Sequence, residues 1–280
     1  MNNNGEVIKT LVENSVFEKT MEEYDFVPVE FFDLKTESGV ALNASIMKPE
    51  NMEKGKKYPV FMTCYGGPGS QSVIDDWGWF NYYWYQMLVK KGYIVVTVDN
   101  RGTGGRGEDF KQSTYLQLGY LESEDQIAAA KFMAKQDYVD PDRIGIWGWS
   151  FGGYLSALSL MRGNDVFSMA VSVAPVADWR LYDNIYTERF MRTDKENEDG
   201  YNKGSLFSYA NELKGDLLLI HGTFDDNVHP QNTFQLTNIL IQNNIPFDSE
   251  FYPNKSHGIS GGMTRLHLYN RITNYIYDNL

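Results

Sequence analysis

Short apolar runs alternate with helix-periodic segments along most of this chain. Six runs of apolar or β-branched residues have the length of buried strands, and they lie at 58–65, 93–99, 143–149, 169–174, 216–221 and 248–253. Helical periodicity of apolar residues is found at 125–136, 153–161, 231–242 and 264–279. Strands that alternate with helices predict βαβ units and a mostly parallel sheet covered on both faces.

The first part of the chain has a different pattern. Residues 13–24 are charged and helix-prone, whereas residues 27–47 alternate apolar with polar positions around the turn signal Glu37-Ser38-Gly39, which predicts an antiparallel hairpin. A hairpin followed by strand–helix alternation is the order of the α/β-hydrolase fold. We therefore expect a lead-in over residues 1–26 and one α/β-hydrolase catalytic domain over residues 27–280, in which 192–204 is the most polar, loop-like stretch.

Composition narrows the classes of function. The 280 residues carry a net charge of −12, which opposes nucleic-acid binding. Cys64 is the single cysteine, and no Cys/His cluster has zinc spacing, so neither a disulfide within the chain nor a metal or other cofactor is expected. No signal-peptide pattern or membrane-length apolar run occurs, and we expect a soluble protein, with its compartment left open.

Aromatic residues make up 15% of the chain and cluster at 77–85 and 182–190. Many of them are explained by a hydrophobic core. A high density of Tyr and Trp in polar, loop-like sequence also suits the walls of a substrate pocket.

The candidate nucleophile is Ser150, in the G-x-S-x-G match from Gly148 to Gly152. An apolar strand precedes the motif and an amphipathic helix follows it, which is the context of a nucleophile elbow. The serine of an elbow sits on a sharp, strained turn, so small residues are needed two positions before and after it. The N-terminus of the following helix favours negative charge beside the serine.

A general base and an orienting acid should follow Ser150 in the order acid, then histidine. His257 fits the base, because it comes after the last strand and before the final helix. His221 reads as a structural histidine at the sheet edge, while His229 and His267 read as capping, surface or packing residues. The acid is expected just past a strand, where Asp225 is chosen and Asp226 is the alternative.

Five segments resemble one family of serine peptidases. They are GWSFGGY at 148–154, HGTFDDNVH at 221–229, DNIYTERFM at 183–191, CYGGPGS at 64–70 and VDNRGTGGRG at 98–107. In this order and from about Val27 onwards, the chain is similar to the catalytic domain of the dipeptidyl peptidase IV branch of the prolyl oligopeptidase family. Phe151 departs from the pattern, since many relatives carry Tyr there.

The resemblance implies roles for further residues. Ser150, Asp225 and His257 would form the catalytic triad, and the Tyr65 hydroxyl with the Phe151 N–H would form the oxyanion hole. Because the backbone of Phe151 has the role, the missing hydroxyl should be tolerated. Asn227 would hold the substrate carbonyl before the proline. The apolar pocket for a proline ring would be lined by Tyr182, Tyr186, Trp179, Val176 and Val228.

The implied function is a serine peptidase that cleaves after proline or alanine in the second position of a peptide. Members of this family carry an N-terminal β-propeller, which this sequence lacks, so residues 1–26 are expected to be the remnant of a junction to it. A homodimer is a further expectation. A carboxylesterase with the same triad, and an inactive domain that acts as a binding module, are the alternative functions.

Overall fold

A single eight-stranded sheet organises the computed structural model, which describes residues 1–76 and 80–280. Its strand order is β1-β2-β4-β3-β5-β6-β7-β8. The strands are β1 (Glu30–Lys35), β2 (Ala41–Met47), β3 (Tyr58–Thr63), β4 (Ile94–Asp99), β5 (Val139–Trp149), β6 (Met169–Val173), β7 (Asp216–Gly222) and β8 (Asp248–Tyr252).

The pairing of these strands follows the predicted order. β1 and β2 form the antiparallel hairpin, and β2 pairs antiparallel with β4. From β4 through β3 to β8, every neighbouring pair is parallel. The prediction of a mostly parallel α/β-hydrolase sheet is therefore confirmed. Because parallel strands point the same way, the loops after β3, β5 and β7 emerge at one edge of the sheet.

Helices connect and cover the strands. They are α1 (Ser15–Glu22), α2 (Tyr82–Lys90), α3 (Glu108–Gln112), α4 (Tyr120–Ala134), α5 (Phe151–Arg162), α6 (Asn184–Met191), α7 (Glu198–Gly204), α8 (Leu206–Tyr209), α9 (Gln231–Gln242) and α10 (Thr264–Asn279). Two 3₁₀ turns cover Trp179–Leu181 and Ala210–Glu212. No helix in the described part of the chain has both the length and the apolar character needed to cross a membrane.

The sheet separates two hydrophobic cores. In β3, which is buried throughout, Val60 and Met62 face the core shared with α4, α5 and α9, whereas Phe61 faces the core shared with α2 and α10. Successive side chains of a strand point to opposite faces. Helices on both faces explain why the central strands read as continuous apolar runs and not as alternating ones.

Three segments that were predicted to be loop-like contain helices. Within 192–204, α7 begins where the Asn197 side chain accepts the Gly200 N–H at 3.2 Å, a cap that a polar sequence provides readily. The aromatic cluster at 182–190 forms α6, capped by Asp183, and much of the cluster at 77–85 forms α2. Residues 77–79 lie outside the described residues. Packing of aromatic rings outweighs the modest helix propensity of those segments.

Burial begins at Val27. Residues 1–26 contain no buried residue, although α1 lies among them. The backbone of Val27 is held on both sides by the Gln86 side-chain amide of α2, with each hydrogen bond at 2.9 Å. A domain that starts at residue 27 remains a prediction, and this anchoring is compatible with it.

Candidate active site

Ser150 stands on the sharp turn between β5 and α5. Its backbone has φ +61° and ψ −119°, a left-handed conformation that is strained for a residue with a side chain. The Ser150 N–H donates to the Val173 carbonyl at 2.8 Å, which fixes the turn to the neighbouring strand β6. The turn places the serine ahead of the helix N-terminus, where N–H groups lack intrahelical acceptors.

The glycines around Ser150 are required by close backbone contacts. A Cβ atom at Gly148 would lie 2.4 Å from the Gly152 carbonyl, and one at Gly152 would lie 2.3 Å from the Cys64 carbonyl. At Gly153, a Cβ atom would lie 2.3 Å from the Val173 carbonyl. Distances below 3.0 Å are not available to a real side chain, so only glycine permits this packing of β5, α5 and the loop after β3.

Asp225, in the loop after β7, and His257, in the loop after β8, lie side by side at the carboxyl end of the sheet. His257 Nδ1 lies 2.7 Å from Asp225 Oδ2, while the other carboxylate oxygen accepts the N–H groups of Asn227 and Val228 at 3.0 Å each. Since an ionised carboxylate can only accept, Nδ1 carries the hydrogen and Nε2 is left to accept a proton. Asp226, the alternative acid, is exposed.

The Asp225 carboxylate is buried yet stays charged. Burial by itself would raise its pKa, but hydrogen bonds from His221, from His257 and from the backbone N–H of Asn227 hold the pKa well below its usual range. A carboxylate that remains ionised can fix the imidazole orientation and stabilise an imidazolium.

His257 lies against the segment that carries Ser150. The indole N–H of Trp149 donates to the His257 carbonyl at 3.0 Å. The His257 side chain is 22% exposed, so a substrate can reach its ring. The structure therefore brings the loop after β8 to the residue that precedes the predicted nucleophile.

His221 contacts the same carboxylate from inside the fold. Its ring is completely buried, with Nε2 at 2.8 Å from the Val228 carbonyl and 3.3 Å from Asp225 Oδ2, and Nδ1 at 2.6 Å from the Thr233 hydroxyl. A carbonyl only accepts, so Nε2 carries the hydrogen. His221 lies one residue before the end of β7, which is paired on both sides, and it is a buried, hydrogen-bonded histidine at the carboxyl end of the sheet.

The other two histidines have the local roles expected of them. His229 is exposed, and its Nδ1 accepts the Gln231 N–H at 3.3 Å where α9 begins. His267 lies within α10, and its Nδ1 is 2.9 Å from the Tyr252 hydroxyl. Neither contacts Asp225 in the described hydrogen-bond network.

Tyr65 and Phe151 lie together beside the elbow. Tyr65 follows β3 and is 44% exposed, and its ring centroid is 6.2 Å from that of Phe151. Burial of its hydroxyl raises the pKa of Tyr65, so the group keeps its proton and can donate. The Phe151 ring is buried, which leaves its backbone N–H, at the first position of α5, as the group able to serve an oxyanion.

The residues implied for a proline pocket form one cluster. Tyr182 and Tyr186 are half-buried, and their ring centroids are 5.4 Å apart. The Tyr182 hydroxyl donates to Asn227 Oδ1 at 2.7 Å, which leaves the Asn227 Nδ2 hydrogens free to donate to a carbonyl. Trp179, Val176 and Val228 are buried beneath.

A separate cavity of about 540 Å³ also borders the elbow. Gly148, Trp149 and Tyr65 contribute to its wall, together with Tyr85 and Asp75. None of the six residues implied for substrate binding lines it. Tyr65 lines this cavity, whereas the aromatic cluster lies outside its wall. Among the described residues, no group of three or more Cys, His, Asp or Glu side chains could hold a metal ion.

The sheet order and the strained serine on a strand-to-helix turn define an α/β-hydrolase. The model of the prolyl oligopeptidase family matches residues 79–280, and the chain belongs to this family.

Dipeptidyl peptidases are among the similar proteins. The dipeptidyl peptidase 4 of Trichophyton equinum is 40% identical over 277 residues, which cover 97% of this chain and 36% of that protein. The crystal structure of Porphyromonas gingivalis dipeptidyl peptidase 4 matches with a TM-score of 0.93 and 49% identity, over 100% of this chain and 39% of that one. This chain thus spans about a third of the length of the curated relatives it matches.

Proposed function

We propose that this chain is the catalytic part of a dipeptidyl peptidase 4-like serine peptidase that cleaves after proline or alanine. The observation that carries the proposal is the buried Asp225 carboxylate bonded to His257, whose loop is held against Trp149 next to the strained Ser150. Family membership supports the reaction class, and the names of the relatives support the substrate class.

In the proposed reaction, the Ser150 oxygen attacks the carbonyl carbon of the scissile bond while His257 Nε2 takes the hydroxyl proton. The oxyanion that forms accepts hydrogen bonds from the Tyr65 hydroxyl and the Phe151 N–H. His257 then gives its proton to the leaving amine, and the carbon–nitrogen bond breaks to leave an acyl-enzyme. Water attacks this ester with His257 again as the base, which releases the acid and restores Ser150.

Substrate recognition in this proposal divides between two groups. The proline or alanine side chain lies against Tyr182 and Tyr186, above the buried Trp179, Val176 and Val228. Asn227 Nδ2 donates to the carbonyl of the preceding residue.

The catalytic domain is residues 27–280, and the exposed apolar side chains of residues 1–26 support their role as a junction to a β-propeller. Association into a homodimer remains a prediction.

The test is labelling by a fluorophosphonate probe, which bonds to an activated serine. The unchanged chain should be labelled and Ser150→Ala should not. The control is Ser256→Ala, which removes an exposed serine beside His257 and should be labelled normally. Persistent labelling of Ser150→Ala would remove Ser150 from this role.

Substrate choice separates the peptidase from a carboxylesterase. The chain should have a higher kcat/KM for a Gly-Pro anilide than for a short acyl ester, because only a proline pocket gives the prolyl amide extra binding energy. Turnover of the ester alone would assign a carboxylesterase. Absence of both labelling and turnover would assign a binding module.

A further inference from the structure

The Tyr154 hydroxyl joins three segments of the fold beneath the candidate pocket. Tyr154 lies in the first turn of α5 and is completely buried. Its hydroxyl is 2.6 Å from the Gly204 carbonyl and 3.0 Å from the Leu118 carbonyl, and it accepts the Trp179 indole N–H at 3.2 Å. The hydroxyl has one hydrogen, which it donates to a carbonyl, and its lone pair accepts the indole N–H.

The surrounding backbone is shaped to admit this hydroxyl. A Cβ atom at Gly119 would lie 1.8 Å from the hydroxyl oxygen, and Gly119 has φ +85°, which favours glycine in any case. A Cβ atom at Gly204 would lie 2.5 Å from the Leu118 carbonyl and 3.3 Å from both the hydroxyl oxygen and Trp179 Cδ1. The oxygen therefore occupies a narrow space where the turn before α4, the 3₁₀ turn at Trp179 and the end of α7 converge.

Trp179, whose indole N–H donates to Tyr154, is the centre of the aromatic cluster. The Trp179 and Tyr154 ring centroids are 5.1 Å apart in an edge-to-face arrangement. Trp179 stacks on Tyr186 at 6.0 Å with 20° between the planes, and it meets Tyr182 edge-on at 6.0 Å. The rotation of the indole about its side-chain bonds therefore sets where the two half-buried tyrosines lie.

We propose that Tyr154 is a positioning residue that sets the preference of the pocket for proline over alanine. It touches no substrate atom, and it acts through Trp179 on Tyr182 and Tyr186. The rigid five-membered ring of proline needs the pocket walls at fixed positions, whereas the methyl group of alanine contacts less of them. The inference rests on the proposed function for the identity of the substrate.

The test is Tyr154→Phe in the full chain, with Gly-Pro and Gly-Ala anilides. Removal of the hydroxyl should raise KM for the prolyl substrate about five- to tenfold and leave kcat within about twofold, because binding and not the chemical step is affected. KM for the alanyl substrate should stay within about twofold. The matched control is Tyr201→Phe, since Tyr201 is also buried and its hydroxyl donates to one carbonyl, that of Arg192 at 2.8 Å.

Two measurements keep the inference separate from peptidase activity. Prolyl and alanyl boronic acids protect an active serine from fluorophosphonate labelling without turnover, and Tyr154→Phe should lose about tenfold in protection by the prolyl compound only. Hydrogen exchange of the Trp179 indole N–H, assigned by its absence in Trp179→Phe, should be at least about tenfold faster in Tyr154→Phe and unchanged in Tyr201→Phe.

An unchanged proline-to-alanine preference in Tyr154→Phe, by anilides or by boronic acids, would overturn the inference. An equal loss for both compounds would also overturn it, as would the same loss in Tyr201→Phe. If the chain hydrolyses esters but no prolyl anilide, the proposed function fails, and the boronic acids and indole exchange still decide the role of Tyr154. Should Tyr154→Phe not fold, Trp179→Phe, which removes the indole N–H from the same hydrogen bond, is measured with the anilides and boronic acids in the same way.

Discussion

Two buried carboxyl groups, Asp225 in the loop after β7 and Glu122 in the first turn of α4, have opposite electrostatic surroundings. Asp225 is 2% exposed and receives hydrogen bonds from two backbone N–H groups and from His257. A longer contact of 3.3 Å comes from the His221 Nε2–H, which Asp225 shares with the Val228 carbonyl. Glu122 is 0% exposed and accepts backbone N–H groups only, from Gly119 at 2.8 Å and from Glu122 itself. Its second oxygen, Oε1, has no hydrogen-bond partner among the described residues.

The difference shows that the number of hydrogen-bond donors, and not the extent of burial, decides the direction of the pKa shift of these two carboxyl groups. Burial raises the pKa of Glu122 well above its usual range, and the backbone N–H groups of Glu122 and Gly119 do not offset this. Burial acts on Asp225 in the same direction, but the donors to both of its oxygens lower the pKa well below the usual range. Hydrogen bonds favour the charged form of Asp225, whereas burial disfavours the charged form of Glu122.

Among the variants of these buried groups, Asp225→Asn should cause the largest loss of turnover. The amide can donate to His257 Nδ1 and so stabilise the wrong tautomer, and we expect turnover of the Gly-Pro anilide or of the ester to fall about 10⁴-fold. Initial rates with either substrate measure the loss.

The neighbouring Asp226→Asn is the matched control. Asp226 carries the same charge one residue away but is exposed. Its turnover should remain within about twofold of the unchanged chain. A large loss of turnover in Asp226→Asn, with a small loss in Asp225→Asn, would assign Asp226 as the acid of the triad instead.

Removing one of the two histidine donors should have an intermediate effect. His221→Asn keeps an oxygen to accept from the Thr233 hydroxyl but withdraws the donor to Asp225 and to the Val228 carbonyl. We expect turnover to fall about three- to tenfold, since the bond to His257 remains, and stability to fall by about 1–3 kcal/mol from the unsatisfied carbonyl. Denaturant unfolding beside initial rates separates the two. A loss as large as that of Asp225→Asn would instead make His221 part of the catalytic machinery.

The smallest effect is expected at Glu122, in stability rather than in rate. A raised folded pKa means that Glu122 stabilises the fold fully only below its unfolded pKa of about 4.3, and that this contribution is lost as pH rises through the folded pKa. Glu122→Gln removes the titration, so at pH 8 its Tm should exceed that of the unchanged chain by about 3 °C, roughly 1 kcal/mol. The gain should shrink towards pH 4.

The stability of Asp225→Asn should change with pH in the opposite direction. A depressed pKa contributes stability above the unfolded value of about 3.9, and this is lost as pH falls through the folded pKa. Asp225→Asn should therefore be less stable than the unchanged chain at pH 7, and the difference should narrow near pH 3. Parallel pH dependences for the two variants, measured by thermal unfolding, would contradict the contrast between the two sites.

Local sequence predicted the parts of the site that depend on local structure. Ser150 could be identified because the strand, the glycines and the helix that make the turn are consecutive in the chain. His257 followed from strand order. The choice between Asp225 and Asp226 could not be made from spacing, because it depends on which side chain the turn after β7 directs inward, and two adjacent residues point to different sides.

Contacts between distant segments were not predictable. The hydrogen bond from Trp179 to Tyr154 joins residues 25 positions apart, and nothing in the motif around Ser150 indicates it. The contact of His221 with Asp225 had a partial signal, since a histidine at a strand end four residues before an acid can reach it across a tight turn. The helices α2 and α6 were missed because their aromatic residues have modest helix propensity, and ring packing stabilises both.

The crowded glycines around Ser150 also limit how the protein can be altered. At positions 148, 152 and 153 even a single methyl group would overlap backbone atoms of a neighbouring segment, and no side-chain movement can relieve such an overlap. Directed evolution for a new substrate therefore has more freedom at the outer aromatic wall than at these three glycines.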